Sequence, residues 1–440
     1  MVKDNSLYSS IAQSVIGRYS VYISNVMSIM ILARMFTPDT FGIIAAVTVF
    51  ALFFQLVGEA GLGPAIINLD TLLQDDRNGM FSLTLIVGVC GSAGFLSLGN
   101  ILSEFYSIDR INEVIPYVSI SLFFFTANVL PNAFLQRERF FLKIACIGLI
   151  TEIISTTCVV VLSSIVNPLH ALAAKIAISA ISSFLLTYYF SGKTEFGRPF
   201  LGRKLSAIIP LLKFSSYQFG FNIIISFAQN LDNILVGKYF GYYTLGIYDK
   251  AYQLMRYPLT LLTFAMTPAI QPVIKNYSND INRVESIHVN FTFKLSLLGW
   301  LSGLCIFLWA DIIVLIIFGS QWVAVVPIIR ILSISIPIQV VLATSGSFFQ
   351  AMNRPDILFF SGSISALLMV FSIVAGVVFR DVILLSWLLV ATFYINFFQT
   401  YYFMYRKVFF RPLYGFVYKM LPMLMLSVFL VIVEIFFKDL

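Results

Sequence analysis

The chain has 440 residues, of which 59% are hydrophobic and 11% charged, with a mean hydropathy of +0.91 and a formal net charge of +7. Soluble proteins carry roughly 25% charged residues, so a soluble fold is excluded and lipid must be the solvent for most of the chain. In that setting the surplus of Lys and Arg reads as basic cytoplasmic loops and not as a nucleic-acid surface.

The N-terminal MVKDNSLYSSIAQSVIG lacks the Lys-rich start, apolar core and small-residue cleavage site of a signal peptide. From there, runs of about 20 apolar residues recur thirteen times, near 13–35, 41–67, 80–103, 114–135, 141–165, 169–190, 212–236, 244–274, 288–317, 325–349, 357–379, 382–405 and 418–437. The predicted fold class is an all-α polytopic membrane protein. Every connection is short, and the longest is GKTEFGRPFLGRKLS at 192–206, so no loop holds a soluble domain. Cys90, Cys146, Cys158 and Cys305 all fall in apolar runs without metal or redox spacing and read as packing residues.

Alternate loops are basic. One set carries Arg77, then Arg137, Arg139 and Lys143, then Lys193, Arg198, Arg203 and Lys204, and continues to Lys275, Arg354 and Arg406. The opposite set carries little beyond Arg34, Arg110, Lys238 and Arg380. This bias predicts a cytoplasmic N-terminus and a cytoplasmic 192–206 linker.

The chain also repeats. ARMFTPDTFGI at 33–43 aligns with GKYFGYYTLGI at 237–247, matching Phe36 to Phe240, Thr40 to Thr244, Gly42 to Gly246 and Ile43 to Ile247. At the same offset of 204 residues, PAI at 64–66 meets PAI at 268–270. A six-helix unit returns each copy to the same side, which implies a parallel repeat about an axis along the membrane normal. The expected organisation is a lobe at 1–191, the linker 192–206, a second lobe at 207–410 and an extra transmembrane segment within 411–440. A substrate path is expected between the lobes, at the pseudo-two-fold axis.

Polar residues interrupt the apolar runs in a pattern. At 100° per residue, Asn222, Ser226, Gln229 and Asn233 share one face of the seventh run, flanked by Asn230 and Asp232. In the first run Ser14, Arg18, Asn25 and Ser28 share a face, and the offset places Arg18 on Asn222, Asn25 on Gln229 and Ser28 on Asp232. Two such stripes would line a water-filled cleft; the competing reading is interhelical hydrogen bonding. In the eighth run Asp249, Gln253 and Arg256 fall at i, i+4 and i+7, with Tyr248 and Tyr252 beside them. Lys175, Lys250, Lys294 and Arg330 lie within about two turns of a predicted end, where snorkelling competes with a buried role. Arg256, Glu59 and Glu152 lie deeper, where a lipid-facing charge costs about 2.5–3.5 kcal/mol or more. They are expected to face the bundle interior or the cleft, or to form internal ion pairs.

No GxxxxGK[ST], HExxH or GxSxG occurs, and His170 and His288 lie in separate segments. The expectation is a protein without catalytic residues, cofactor or metal, moving a substrate without hydrolysing ATP in this chain.

Four stretches carry a family resemblance: ILARMFTPDTFGIIAAVTVFALFFQLVGEAGLGPAII (31–67), LDNILVGKYFGYYTLGIYDKAYQL (231–254), IIFGSQWVAVVPIIRIL (316–332) and FFQAMNRPD (348–356). Over about residues 10–410 the chain resembles the Wzx-type polysaccharide flippases of the multidrug/oligosaccharidyl-lipid/polysaccharide exporter superfamily. The resemblance implies two six-helix lobes in a V, opening alternately to each side of a bacterial inner membrane. It implies export of undecaprenyl-diphosphate-linked oligosaccharide repeat units to the outer leaflet, for O-antigen or exopolysaccharide synthesis. Membrane lipids, and a polysaccharide polymerase with chain-length machinery, are the implied partners. Within it Arg18, Arg256 and Lys294, then Lys250, suit the anionic headgroup, while Asn25, Asn222, Gln229, Gln253 and Tyr252 suit the sugar. Asp249, Glu59, Glu152 and Asp232 would tune the cleft or couple to protons or sodium. The alternatives are a cation-coupled multidrug exporter, which would want an acidic or apolar cavity, and a peptidoglycan-precursor flippase. A membrane polysaccharide polymerase would show a substantial outer loop, which this chain lacks.

Overall fold

The computed structural model describes the chain except Met1, residues 60–65, 67–72, 206–208, 264–266, Ser278 and residues 437–440. Side chains are described except for those residues and 2–14, 209–222, 224–225, 228, 267–269 and 272. Every regular element among the described residues is helical. The first six spans are α1 (Val2–Met35), α2 (Pro38–Glu59), α3 (Gln74–Ser97), α5 (Ile111–Arg137), α6 (Phe141–Leu162) and α7 (Pro168–Ser191), with a short α4 (Gly99–Tyr106) after α3. Pro38 opens α2 and Pro168 opens α7, first-turn positions where the missing N–H has no helical partner to lose. The side chain of Asn167 accepts from Leu169 N at 3.0 Å and caps α7.

Helix α8 (Ile209–Thr263) has 55 residues. At about 1.5 Å per residue this is more than twice a hydrocarbon core of about 30 Å, the length of the two runs predicted here. They divide at Gly241, whose φ of 84° and ψ of 170° lie in a region essentially restricted to glycine. Then follow α9 (Thr267–Lys275), α10 (Ile281–Leu308), α11 (Ala310–Ile317), a 3-10 turn (Ser320–Val325) and α12 (Val326–Ser333). The last spans are α13 (Ile336–Ala351), α14 (Pro355–Val378), α15 (Val382–Phe403, extended by a π-turn over Met404–Phe409) and α16 (Tyr414–Phe436). The tenth predicted run is broken: Ser320–Ser333 and Ile336–Ala351 meet at 61°. Pro337 explains the break, because it has no N–H to return to the Ser333 carbonyl and its ring crowds that position.

Among the described residues ten helices are long and apolar enough to cross a membrane, or eleven if the bent pair is one span. Each of the thirteen predicted runs falls on helix through most of its described length. Cys90, Cys146 and Cys305 are exposed on the helices and do not pack a core as expected.

Contacts group the chain into two units, residues 1–246 and 247–440. In the first unit α5 packs against α2, α3 and α7, and α6 packs against α1 and α7. In the second, α10 packs against α12, α13 and α16, and α14 pairs with α15. His288 is fully buried at the centre of this unit, 3.2 Å from the Tyr405 hydroxyl and in contact with the rings of Phe348, Tyr401, Phe409 and Phe416. Phe416 belongs to α16, so the thirteenth predicted segment is part of this core.

The 192–206 linker is tied to the first unit. Tyr188 donates to the Pro199 carbonyl at 3.0 Å, Phe200 N donates to Asn78 at 3.0 Å and Gly202 N donates to Ser82 at 2.8 Å. Arg77 donates to the Phe196 carbonyl. Lys204 Nζ lies 2.6 Å from Asp76 Oδ1, and the hydrogen bond to that carboxylate raises the lysine's pKa.

Candidate functional site

The matched segments 33–43 and 237–247 each contain a break in the helix. The break between α1 and α2 falls at Phe36 and Thr37, and the break in α8 falls at Gly241, 204 residues after Thr37. Just beyond each break the two copies touch. A Cβ on Gly42 would lie 1.7 Å from the Tyr242 carbonyl oxygen and 3.1 Å from Gly246 N. A Cβ on Gly246 would lie 2.1 Å from the Pro38 carbonyl oxygen and 3.1 Å from Gly42 N. Pro38 and Tyr242 are also 204 residues apart, so the contact is reciprocal. Only glycine lets backbones approach this closely. The second repeated motif, PAI, lies almost wholly outside the described residues: of Pro64, Ala65, Pro268 and Ala269 no side chain is described.

The polar residues of α1 divide. Arg18 and Asn25 are exposed, whereas Ser28 is buried and shares a 2.6 Å hydrogen bond with Thr156 on α6. Thr156 in turn donates to Glu152 at 3.5 Å. Glu152 is buried, with its Oε1 2.6 Å from Lys175 Nζ on α7. Of the two readings open for Glu152, the internal ion pair holds. Lys175 is its partner, not a snorkelling cation. The sequence hid this pair because its members are 23 residues apart on separate helices.

On α8, Gln229 is exposed, and Asn230 donates back to the Ser226 carbonyl at 2.8 Å. Asp232 is buried and accepts from Asn233 N at 2.8 Å. The side chain of Asn222 lies outside the described residues. Glu59 is exposed at the end of α2.

In the second unit the predicted Asp249–Gln253–Arg256 stripe makes two sets of contacts. Lys250 is buried and its Nζ donates to Asp249 at 3.1 Å and to Gln253 at 3.0 Å. Tyr248 and Tyr252 pack with ring centroids 5.8 Å apart. Arg256 is exposed, with its guanidinium carbon 4.7 Å from the centre of the Tyr252 ring, and no carboxylate pairs with it among the described residues. Lys250 pairs with Asp249, and Arg256 lies outside that ion pair. Lys294 is exposed at the middle of α10, fourteen residues into a helix of 28, deeper than the sequence placed it because the helix begins at Ile281. No hydrogen bond or ion pair engages it among the described residues. No group of three or more His, Cys, Asp or Glu among the described residues is arranged to hold a metal.

A family profile described as polysaccharide biosynthesis protein matches residues 31–327. The chain belongs to that family. It is similar to the teichuronic acid biosynthesis protein TuaB of Bacillus subtilis (strain 168), 21% identical over 78% of this chain and 71% of the relative. The lipopolysaccharide biosynthesis protein WzxC of Escherichia coli (strain K12) is 24% identical over 79% of this chain and 70% of its own. The succinoglycan biosynthesis transport protein ExoT of Rhizobium meliloti (strain 1021) is 20% identical over 83% and 73%. Among solved structures, the lipid II flippase MurJ in an inward closed conformation aligns with a TM-score of 0.73 at 11% identity, covering 97% of this chain and 99% of that one. A multidrug resistance MATE family transporter of the MOP superfamily in its inward-facing conformation aligns at 0.69 and 11%, over 92% and 95%. At such identities the likeness shows the fold: a multi-pass helical membrane protein with the architecture of MOP-superfamily transporters.

Proposed function

We propose that this protein is a flippase that moves undecaprenyl-diphosphate-linked oligosaccharide repeat units from the cytoplasmic to the outer leaflet by alternating access, for surface polysaccharide synthesis. The lobes would be 1–191 and 207–410 and the N-terminus cytoplasmic, in the bacterial inner membrane. Polysaccharide polymerase and chain-length machinery would take up the product. The reciprocal Gly42–Gly246 crossing supports a two-fold relation between the halves. Membership of the polysaccharide biosynthesis family and the likeness to TuaB, WzxC and ExoT support a part in polysaccharide assembly and export.

The observation that carries the substrate class is Arg256. A guanidinium on a membrane span, exposed and without a carboxylate partner among the described residues, costs about 2.5–3.5 kcal/mol or more if it faces lipid. It therefore faces water or an anionic substrate. Lys294, exposed at mid-helix, argues the same way. Arg18, Arg256 and Lys294 would meet the diphosphate, with Lys250, which is bonded to Asp249 and Gln253, next. Asn25, Asn222, Gln229 and Tyr252 would meet the sugar. Glu59 and Asp232 are the remaining candidate coupling acids, because the Glu152 carboxylate is committed to Lys175. The test is binding of an undecaprenyl-diphosphate oligosaccharide to purified protein. Arg256→Gln should weaken it about tenfold, the loss of one charge-assisted contact, and unchanged affinity would remove Arg256 from the site.

A further inference from the structure

The linker after α7 carries cations that the fold leaves without partners. Lys204 is engaged by Asp76, but Lys193, Arg198 and Arg203 meet no carboxylate or carbonyl among the described residues. Lys193 and Arg198 stand against the same ring, with Nζ 5.2 Å and the guanidinium carbon 5.3 Å from the centroid of Tyr189. Tyr189 is itself 51% exposed. The Arg198 stem crosses Gly192, where a Cβ would lie 2.6 Å from its Nε, so the guanidinium is held just past the last turn of α7. Carbonyls at a helix C-terminus favour a cation there.

Two residues further on, Phe200 and Leu201 are 58% and 77% exposed. They cannot fold away, because the Pro199 carbonyl, Phe200 N and Gly202 N on either side are hydrogen-bonded to Tyr188, Asn78 and Ser82. A fixed backbone thus presents an apolar pair close in sequence to two cations that stand against one ring and meet no carboxylate among the described residues, at the side the Lys and Arg distribution makes cytoplasmic. That combination matches one environment, the membrane interface, where apolar side chains enter the acyl boundary and cations meet lipid phosphates.

We propose that residues 189–203 form a binding site for the phosphate headgroup of a membrane lipid, with Lys193 and Arg198 on the phosphate and Phe200 and Leu201 among the acyl chains. The inference needs only the membrane setting and is independent of the flippase reading. Its ligand is an anionic phospholipid of the bulk bilayer or a phosphorylated carrier lipid, which share this chemistry.

The experiment is native mass spectrometry of the full-length protein with phosphatidylglycerol and phosphatidylcholine in competition, then with undecaprenyl phosphate added. Wild type should retain phosphatidylglycerol over phosphatidylcholine. Each cation near an anionic headgroup contributes about fivefold, so Lys193→Gln with Arg198→Gln should lower the preference about 25-fold. Arg380→Gln, which removes an exposed cation from a different loop, should leave it unchanged. Phe200→Ser with Leu201→Ser keeps every cation and should weaken retention of both phospholipids equally, a readout that survives if the double cation variant does not fold. Displacement of phosphatidylglycerol by undecaprenyl phosphate would make the carrier lipid the ligand, and its persistence would make it the bulk phospholipid; both support the site. Equal retention of phosphatidylglycerol and phosphatidylcholine by wild type, a preference that the double cation variant leaves intact, or undiminished retention of both lipids by the Phe200 and Leu201 variant, would overturn it.

Discussion

Replacing Gly42 by alanine puts one methyl group into the reciprocal crossing. Its carbon would start 1.7 Å from the Tyr242 carbonyl oxygen, with Gly246 N at 3.1 Å. Nothing flexible is in the way to yield, since both obstacles are backbone. The two segments must separate by roughly 1.5 Å before the contact becomes an ordinary one. Overpacking of well-packed sites costs about 1–3 kcal/mol, and a backbone obstacle places Gly42→Ala at the upper end. Gly246→Ala meets the Pro38 carbonyl at 2.1 Å and should cost nearly as much. The double variant should cost clearly less than the two together, because opening the crossing for one methyl makes room for the other. Gly241→Ala is the comparison: its Cβ would meet nothing within 4 Å, so it carries only the penalty of φ +84°, about 1–3 kcal/mol. The assay is an SDS unfolding titration of the purified variants, with the double-mutant cycle read from the midpoints. Wild-type stability for Gly42→Ala, or strict additivity of the pair, would refute the reciprocal contact.

Two further outcomes follow from the packing. Removing one member of the Glu152–Lys175 pair should destabilise by about 2–3 kcal/mol, below the roughly 3–5 kcal/mol of a fully buried pair because the side chains keep 11% and 20% exposure. Glu152→Gln with Lys175→Met should recover at least about 1 kcal/mol of that in a double-mutant cycle; strict additivity would mean the two do not interact. Phe416→Ala should cost about 3–5 kcal/mol, since the ring is 1% exposed and lies 4.7 Å from that of Tyr401; a neutral effect in the same titration would make α16 a peripheral helix.

The spans were legible because lipid demands long apolar runs, and composition alone reveals them. The match of Gly42 to Gly246 was legible too, and the structure adds that the two lie against each other. What sequence could not supply is which way each polar residue turns. Ser28 was grouped with Arg18 and Asn25, yet it faces α6 and bonds Thr156. A few tens of degrees around a helix decide that, and neighbouring helices set them. Lys294 was placed near a helix end because the charged turns from Ile281 onward hid the true start of α10. The linker's basicity was plain, but its anchoring by Asn78 and Ser82, some 120 residues earlier, was not.

The central claim is tested most directly by reconstituting the protein in liposomes with a labelled undecaprenyl-diphosphate oligosaccharide in one leaflet and following its arrival in the other. The account predicts protein-dependent movement that Arg256→Gln slows about tenfold or more while leaving unfolding midpoints unchanged. Absence of movement for several lipid-linked sugars, together with ion-driven efflux of cationic dyes from the same vesicles, would contradict it and make the protein a drug exporter.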